Sequence, residues 1–300
     1  MSRLAIPALA MALTLALPAL AATPINETRA LSPTGEVEIE NLKGRIEVRV
    51  WDRAEVKIEG SLGEGVERLA IEGGRDKLAV RVKYPRRSGM NGNNSEPTQL
   101  LLTVPRRASL DIDSVSADID VQGTAADKLS ADAVSGDVLV IGAPRKAEIN
   151  TVSGDQQLTI NTRDASVDTV SGDVALRGRF DGEVEFNSVS GNVTITNNRE
   201  NPVRKLSGSS VSGDLTLSTS LASGGEIEVD TLSGDLRLSL PRNVSATVTG
   251  ESFSGDLRVE GAQVQRPKHG PGSSVSHRYG TGDGRIAVES FSGSASVILE

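Results

Sequence analysis

The chain has 300 residues, with 32 basic against 40 acidic side chains and a formal net charge of −8. That balance is the reverse of a nucleic-acid binder's. It holds no Cys and two His, which removes disulfide frameworks and thiol chemistry and leaves little for His-dependent catalysis. Only 2% of residues are aromatic, so the core must be assembled from Val, Leu, Ile and Ala, as in thin repeated layers.

Residues 1–21 read as a secretory signal peptide. Arg3 supplies the charge, Leu4 to Leu20 the apolar run, and Ala19-Leu20-Ala21 the small-residue cleavage site. No transmembrane segment is expected in the mature chain, because no later stretch is apolar enough to span a bilayer. The product is expected to be exported, to the periplasm or to the cell surface and extracellular space.

Residues 22–110 read as a divergent, β-rich N-terminal cap module. Val37, Ile39, Asn41, Leu42, Lys43-Gly44-Arg45, Ile46 and Val48 alternate apolar with polar around a glycine. Further strands are expected at Glu55–Glu59, Leu69–Ile71, Leu78–Val82 and Gln99–Val104. A Gly- and Asn-rich loop from Arg86 to Pro97 separates the last two. Trp51 reads as a packed anchor between the cap and the first repeat. Leu102-x-Val104-Pro105-Arg106 returns as Leu238-x-Leu240-Pro241-Arg242, with proline ending a strand each time.

Residues 111–300 are dominated by one repeated motif. Ser135-Gly136-Asp137, Ser153-Gly154-Asp155, Ser171-Gly172-Asp173, Ser212-Gly213-Asp214, Ser233-Gly234-Asp235 and Ser254-Gly255-Asp256 share it. Variants stand at Ser116-Ala117-Asp118, Ser190-Gly191-Asn192 and Ser292-Gly293-Ser294. The leading serines are 19, 18, 18, 19, 22, 21, 21 and 38 residues apart. The last interval carries an insertion, residues 263–284, rich in Gly, Pro and Ser. Apolar residues alternate on both sides of each motif, as in Val167, Thr169, Val170, then Val174 and Leu176. Alternation on both sides of a glycine means two short strands joined by a turn or bulge. A unit that small cannot bury its own apolar face, whereas stacked units can.

The expected fold is therefore all-β: a parallel β-solenoid of 18–22-residue rungs behind a divergent cap. A β-sandwich or antiparallel meander is the alternative. In the solenoid, Val115, Val134, Val152, Val170, Val189, Val211, Leu232 and Phe253 are expected to form an inward apolar column. The serines would form a hydroxyl column that bonds turn backbone. The aspartates would repeat at rung spacing and repel by about 1 kcal/mol per pair in water, so they need solvent, backbone N–H groups or cations.

The unit Ser-Val-Ser-Gly-Asp-Val, the early Asn-Leu-x-Gly-x-Ile-x-Val copy and the Pro-Arg strand ends resemble a bacterial family of β-strand-repeat domains of unknown function, catalogued as putative adhesins. The likeness runs from about Val37 to Leu299. It implies an extracytoplasmic repeat protein and brings no catalytic residues with it.

Three features of the chain bear on its chemistry. Gly-Asp turns suggest calcium, but β-roll sites need two such turns per rung and this chain has one. Asp168 with Asp173, or Glu183 with Glu185, are carboxylate pairs of the kind a polysaccharide-acting enzyme uses. The 263–284 insertion gathers His269, His277, Arg266, Lys268, Arg278 and Tyr279, and reads as a disordered loop. No catalytic, cofactor-binding or metal-ligating residue is assigned, and no cofactor. The expected role is non-catalytic: an adhesin, or a structural or binding element of the bacterial envelope. The partner is an envelope polymer, glycan or protein, and not nucleic acid. The alternatives are an enzyme acting on polysaccharide from a β-helix scaffold, or a periplasmic partner of an envelope signalling system.

Overall fold

The computed structural model describes residues 23–85 and 95–300. The expected signal peptide and most of the Arg86–Pro97 loop lie outside the described residues. Twenty-four strands and no helix occur among those described. The N-terminal part holds β1 (Thr23–Ala30), β2 (Glu36–Trp51), β3 (Glu55–Leu62), β4 (Arg68–Gly73), β5 (Lys77–Lys83) and β6 (Thr98–Pro105). The repeats begin with the long β7 (Ser109–Thr124), followed by β8 (Lys128–Ala133), β9 (Val138–Gly142), β10 (Lys146–Thr151), β11 (Gln156–Thr162), β12 (Asp164–Ser171) and β13 (Val174–Phe180). Next come β14 (Glu183–Ser190), β15 (Val193–Asn197), β16 (Val203–Ser212), β17 (Leu215–Ser218), β18 (Leu221–Ser233) and β19 (Leu236–Leu240). The chain finishes with β20 (Ala246–Ser254), β21 (Leu257–Val259), β22 (Ser273–Tyr279), β23 (Gly284–Ser292) and β24 (Ala295–Leu299).

The molecule is a β-solenoid with two sheet faces. The first parallel face runs from the first half of β2 through β7, β8, β10, β12, β14, β16 and β18. The second runs from the second half of β2 through β7, β9, β11, β13, β15, β17 and β19. Each rung thus contributes one strand to each face, and the Ser-Gly-Asp motif turns the corner between them. Alternate residues point inward and meet across the interior: Ala147, Ile149, Leu158 and Ile160 in one rung, Ala165, Val167, Val174 and Leu176 in the next, all buried. The opposite corner absorbs the length differences between rungs, as in 197–203 and the bulged pairing of β16 with β18.

Glycine at the motif corner is required by proximity. A Cβ on Gly154, Gly172, Gly191, Gly213 or Gly234 would overlap the carbonyl oxygen of the corner glycine one rung earlier. Gly191, Gly213, Gly234, Gly255 and Gly293 also take φ between +120° and +154°, a region that side chains resist. Ala117, in the first rung, keeps an ordinary φ.

The rungs do not all stack in chain order. β23 and β24 lie between β18–β19 and β20–β21, so the last copy of the motif fills a gap left by the preceding one. The 263–284 insertion is not a disordered loop. It contains β22, which pairs antiparallel with β20 and covers that end of the first face. A β-strand is stabilised by the open edge beside it, and the edge of β20 supplies one.

At the other end, β5 extends the first face in parallel and β4 closes it antiparallel. On the second face β6 pairs with β2, β3 with β6 and β1 with β3, the last two antiparallel. Trp51 ends β2 opposite Pro105, half-buried, with its indole N–H donating to the Glu55 carbonyl at 2.7 Å.

Candidate docking surface

Strand parity fixes what each corner residue does. In β10 and beyond, Ile149 points in, Asn150 out, Thr151 in and Val152 out. The residue before the valine is therefore buried. In several rungs its hydroxyl donates to the backbone carbonyl three residues on: Ser114 to Ala117, Thr151 to Gly154, Ser188 to Gly191 and Ser290 to Gly293. This pairing satisfies a carbonyl at the turn, the role expected of the motif serines. Those serines, from Ser116 to Ser292, instead sit exposed on the corner.

The valine column is correspondingly outside, which overturns the inward apolar column expected from residue type. Val115, Val134, Val152, Val170, Val189, Val211, Leu232, Phe253 and Phe291 are each 43–52% exposed. Register places them in one line, with half-buried Leu42 before Val115 and Phe291 between Leu232 and Phe253. The rings of Phe253 and Phe291 stack with centroids 4.8 Å apart. Ten apolar side chains at about 4.8 Å spacing make a ridge of about 43 Å. An exposed apolar strip this continuous is unusual on a soluble surface and marks an interaction site.

Walls stand at both ends of the ridge. Near its start, Val82 and Tyr84 border an open trough of about 620 Å³ over Leu42, Val115, Val134 and Val152. The Tyr84 hydroxyl donates to Asn41 Oδ1 at 2.8 Å, and burial pushes its pKa up. Near its other end, Arg266, Pro267 and Pro271 of the insertion overhang Val211, Leu232, Phe291 and Phe253 around a trough of about 880 Å³.

Acids line both flanks. Two residues before each apolar member, on the outer face of the first sheet, stand Glu40, Asp113, Asp132, Asn150, Asp168, Asn187, Ser209, Asp230, Glu289 and Glu251. Burial, reinforced by the neighbouring carboxylates Asp111, Asp132, Glu40 and Glu38, holds the Asp113 carboxyl above its ordinary value. Burial and then Glu228 do the same for Asp230. Amides relieve the column in its middle: Asn150 donates to Asp132 at 2.6 Å and Asn187 to Asp168 at 2.8 Å.

On the other flank the motif aspartates form a relay. Each Oδ1 accepts the backbone N–H of its counterpart one rung on: Asp118 from Asp137, Asp137 from Asp155, Asp155 from Asp173, Asp173 from Asn192, Asn192 from Asp214, Asp214 from Asp235 and Asp235 from Ser294. At 2.8–3.2 Å these bonds give the column the backbone partners it needs. Asn192 serves because its amide oxygen accepts equally well. At Arg45 the relay is replaced by an ion pair to Asp120 at 2.7 Å. Burial would raise the Asp120 carboxyl. Hydrogen bonds from Arg49 and Gln122 and the charges of Arg49 and Arg45 outweigh burial and hold it below its usual range.

The other candidates do not assemble. Asp168 belongs to the outer column and Asp173 to the corner relay, each with its own partner. Glu183 and Glu185 are both exposed on the outer face of β14. His277 packs edge-on against Tyr279 with centroids 4.6 Å apart, and His269 is exposed in the turn before β22. No group of three or more His, Asp or Glu able to hold a metal ion occurs among the described residues. No helix there is long and apolar enough to cross a membrane.

The sequence reading missed the acidic column, Leu42 and Phe291 as parts of one surface. Counting parity along each strand is the signal that finds all three.

Among solved structures the chain is similar to a protein described as a putative lipid binding protein from Parabacteroides distasonis ATCC 8503. Identity is 15%, TM-score 0.54, and coverage 92% of this chain and 97% of that one. A putative adhesin from Bacteroides fragilis NCTC 9343 is 12% identical, with TM-score 0.44 over the same shares of the two chains. Another putative adhesin, from Parabacteroides distasonis ATCC 8503, is 10% identical with TM-score 0.42, covering 92% of this chain and 98% of the other. No curated protein matches the chain. The family model described as Toastrack DUF4097 matches residues 34–297, and the chain belongs to that family.

Proposed function

We propose that this protein is an exported, non-catalytic binding element of the bacterial envelope, and that the apolar corner ridge is its docking surface. One observation carries the reading: ten apolar side chains stand outward in a single line while the interior is already filled by other residues. Aliphatic side chains held about half exposed forgo roughly 25 cal/mol for every Å² left in water. A partner laid along the ridge recovers that term. The overhanging insertion and Tyr84 give the surface two ends, so the partner is elongated and of limited length.

Site-specific photocross-linking in living cells tests this reading. A photoreactive residue at Val170, on the ridge, is expected to capture an envelope component. The same residue at Thr159, exposed on the second face, is expected to capture nothing above background. Equal capture from both positions, or none from Val170, removes the ridge as a docking surface. Fractionating the cross-linked material reports the compartment in the same experiment.

A further inference from the structure

The charges around the ridge narrow the class of partner, on the footing of the docking role just proposed. Asp113, Asp132 and Asp168 on one flank and Asp137, Asp155 and Asp173 on the other form no ion pair among the described residues. On the first face Lys128, Lys146, Lys205 and Arg285 each stand six residues before their ridge member, and all but Lys205 are in ion pairs. Lys128 and Lys146 pair with Glu148, and Arg285 with Glu226. At the ends of the ridge Arg81 pairs with Glu38 and Glu40, and Arg266 with Asp256; Lys43 directly follows Leu42, and on the second face Arg177 shares a trough with Asp155 and Asp173 without pairing to either among the described residues. Through its middle the ridge runs as an apolar rail between carboxylates on both flanks, Asp132 and Asp168 on one and Asp137, Asp155 and Asp173 on the other, interrupted by Asn150, Asn187 and Ser209 on the first and by Asn192 on the second. An anionic lipid surface or acidic polymer would meet repulsion on both flanks. A neutral acyl chain would leave the carboxylates unanswered, and covering them would cost solvation.

We infer that the ridge binds an extended polypeptide segment rich in both apolar and basic residues, the apolar side chains on the rail and the Lys or Arg side chains reaching the flanking acids. A ridge of about 43 Å matches about 13 extended residues at about 3.3 Å each. The segment lies along the solenoid axis, across the rungs. It does not join a sheet, because the backbone groups along the ridge already bond rung to rung. Recognition therefore runs through side chains alone. The rung spacing of about 4.8 Å does not match the residue spacing of an extended chain, so no fixed register links partner positions to rungs. Composition, rather than exact order, sets affinity.

The test uses a fluorescein-labelled peptide of about 13 residues alternating valine and lysine, read by anisotropy against the full mature protein. Comparison probes are a scramble of the same composition, a valine–glutamate counterpart, and vesicles of phosphatidylcholine alone or with phosphatidylglycerol. The lysine peptide and its scramble are expected to bind within about twofold of each other. Raising the salt from about 20 to about 300 mM should weaken both by about tenfold or more as screening shortens. Val152→Ser with Val170→Ser and Val189→Ser, and separately Asp132→Asn with Asp168→Asn, should each cost about fivefold or more. All five positions face outward, so melting curves of the variants should overlay the parent's. Absence of binding by the lysine peptide overturns the inference, as does binding that neither set of variants weakens. Ridge-dependent binding of the glutamate peptide or of vesicles overturns it too, while leaving the docking role intact. Loss of capture at Val170 in cells would remove that role itself.

Discussion

Gly208 illustrates how single atoms constrain this thin core. It points inward from β16, opposite Phe186 on β14. Phe186 is one of two buried phenylalanines in a core otherwise built from aliphatic side chains. A Cβ on Gly208 would overlap the Phe186 ring. The ring occupies the volume of two rungs, and glycine is what lets it. Gly208→Ala is expected to destabilise the protein by about 1–3 kcal/mol through overpacking. Adding Phe186→Leu to the same chain should recover part of that loss, because the smaller side chain withdraws from the new methyl. Urea unfolding of the two variants checks this, and a double variant no more stable than Gly208→Ala would contradict it. Residue chemistry misleads at the ridge for a related reason. Valine in a strand suggests the core, yet the inner corner position is taken by a hydroxyl that satisfies a turn carbonyl, as Thr151 does for Gly154. The period-two pattern was present in the sequence throughout, and it outranks hydrophobicity in deciding which side a strand residue faces.

At the level of elements, the repeat makes rungs and motif turns legible in the sequence, and alternation does the same for strands before residue 110. Expected strands at Glu55–Glu59, Leu78–Val82 and Gln99–Val104 fall inside β3, β5 and β6. The order of stacking was not legible. Two rungs of similar sequence compete for adjacent slots, and local pattern does not decide between them. Long-range geometry does: after β21 the chain turns back as β22, then enters the vacant slot as β23. β20 consequently hydrogen-bonds β22 and β23 and has no pairing with β18. A lesion in β23 should therefore release the strands on its far side. Val288→Ala, which removes buried methyl groups, is expected to cost about 2 kcal/mol. Hydrogen exchange should then show faster exchange in 246–259 and 273–279 together with 284–299, while 221–240 changes least. Retained protection in 246–259 alone would mean that β20 stacks directly on β18.

Over the whole molecule, two structural economies leave one surface unexplained by folding. The aspartates, which the sequence presents as a candidate cation ladder, accept backbone N–H groups from rung to rung. The glycines permit the close approach of those rungs. The outward apolar side chains satisfy neither need, and they run the length of the solenoid between acidic columns. The absence of Cys makes that arrangement directly measurable, since a single introduced thiol reports its own position. The decisive experiment compares maleimide labelling of natively folded Thr169→Cys and Val170→Cys. Modification is expected to be rapid at Val170, 46% exposed, and slow at Thr169, 4% exposed, until the protein is unfolded. Slow labelling at Val170 with rapid labelling at Thr169 would return the valines to the interior and remove the ridge, together with the docking role built on it.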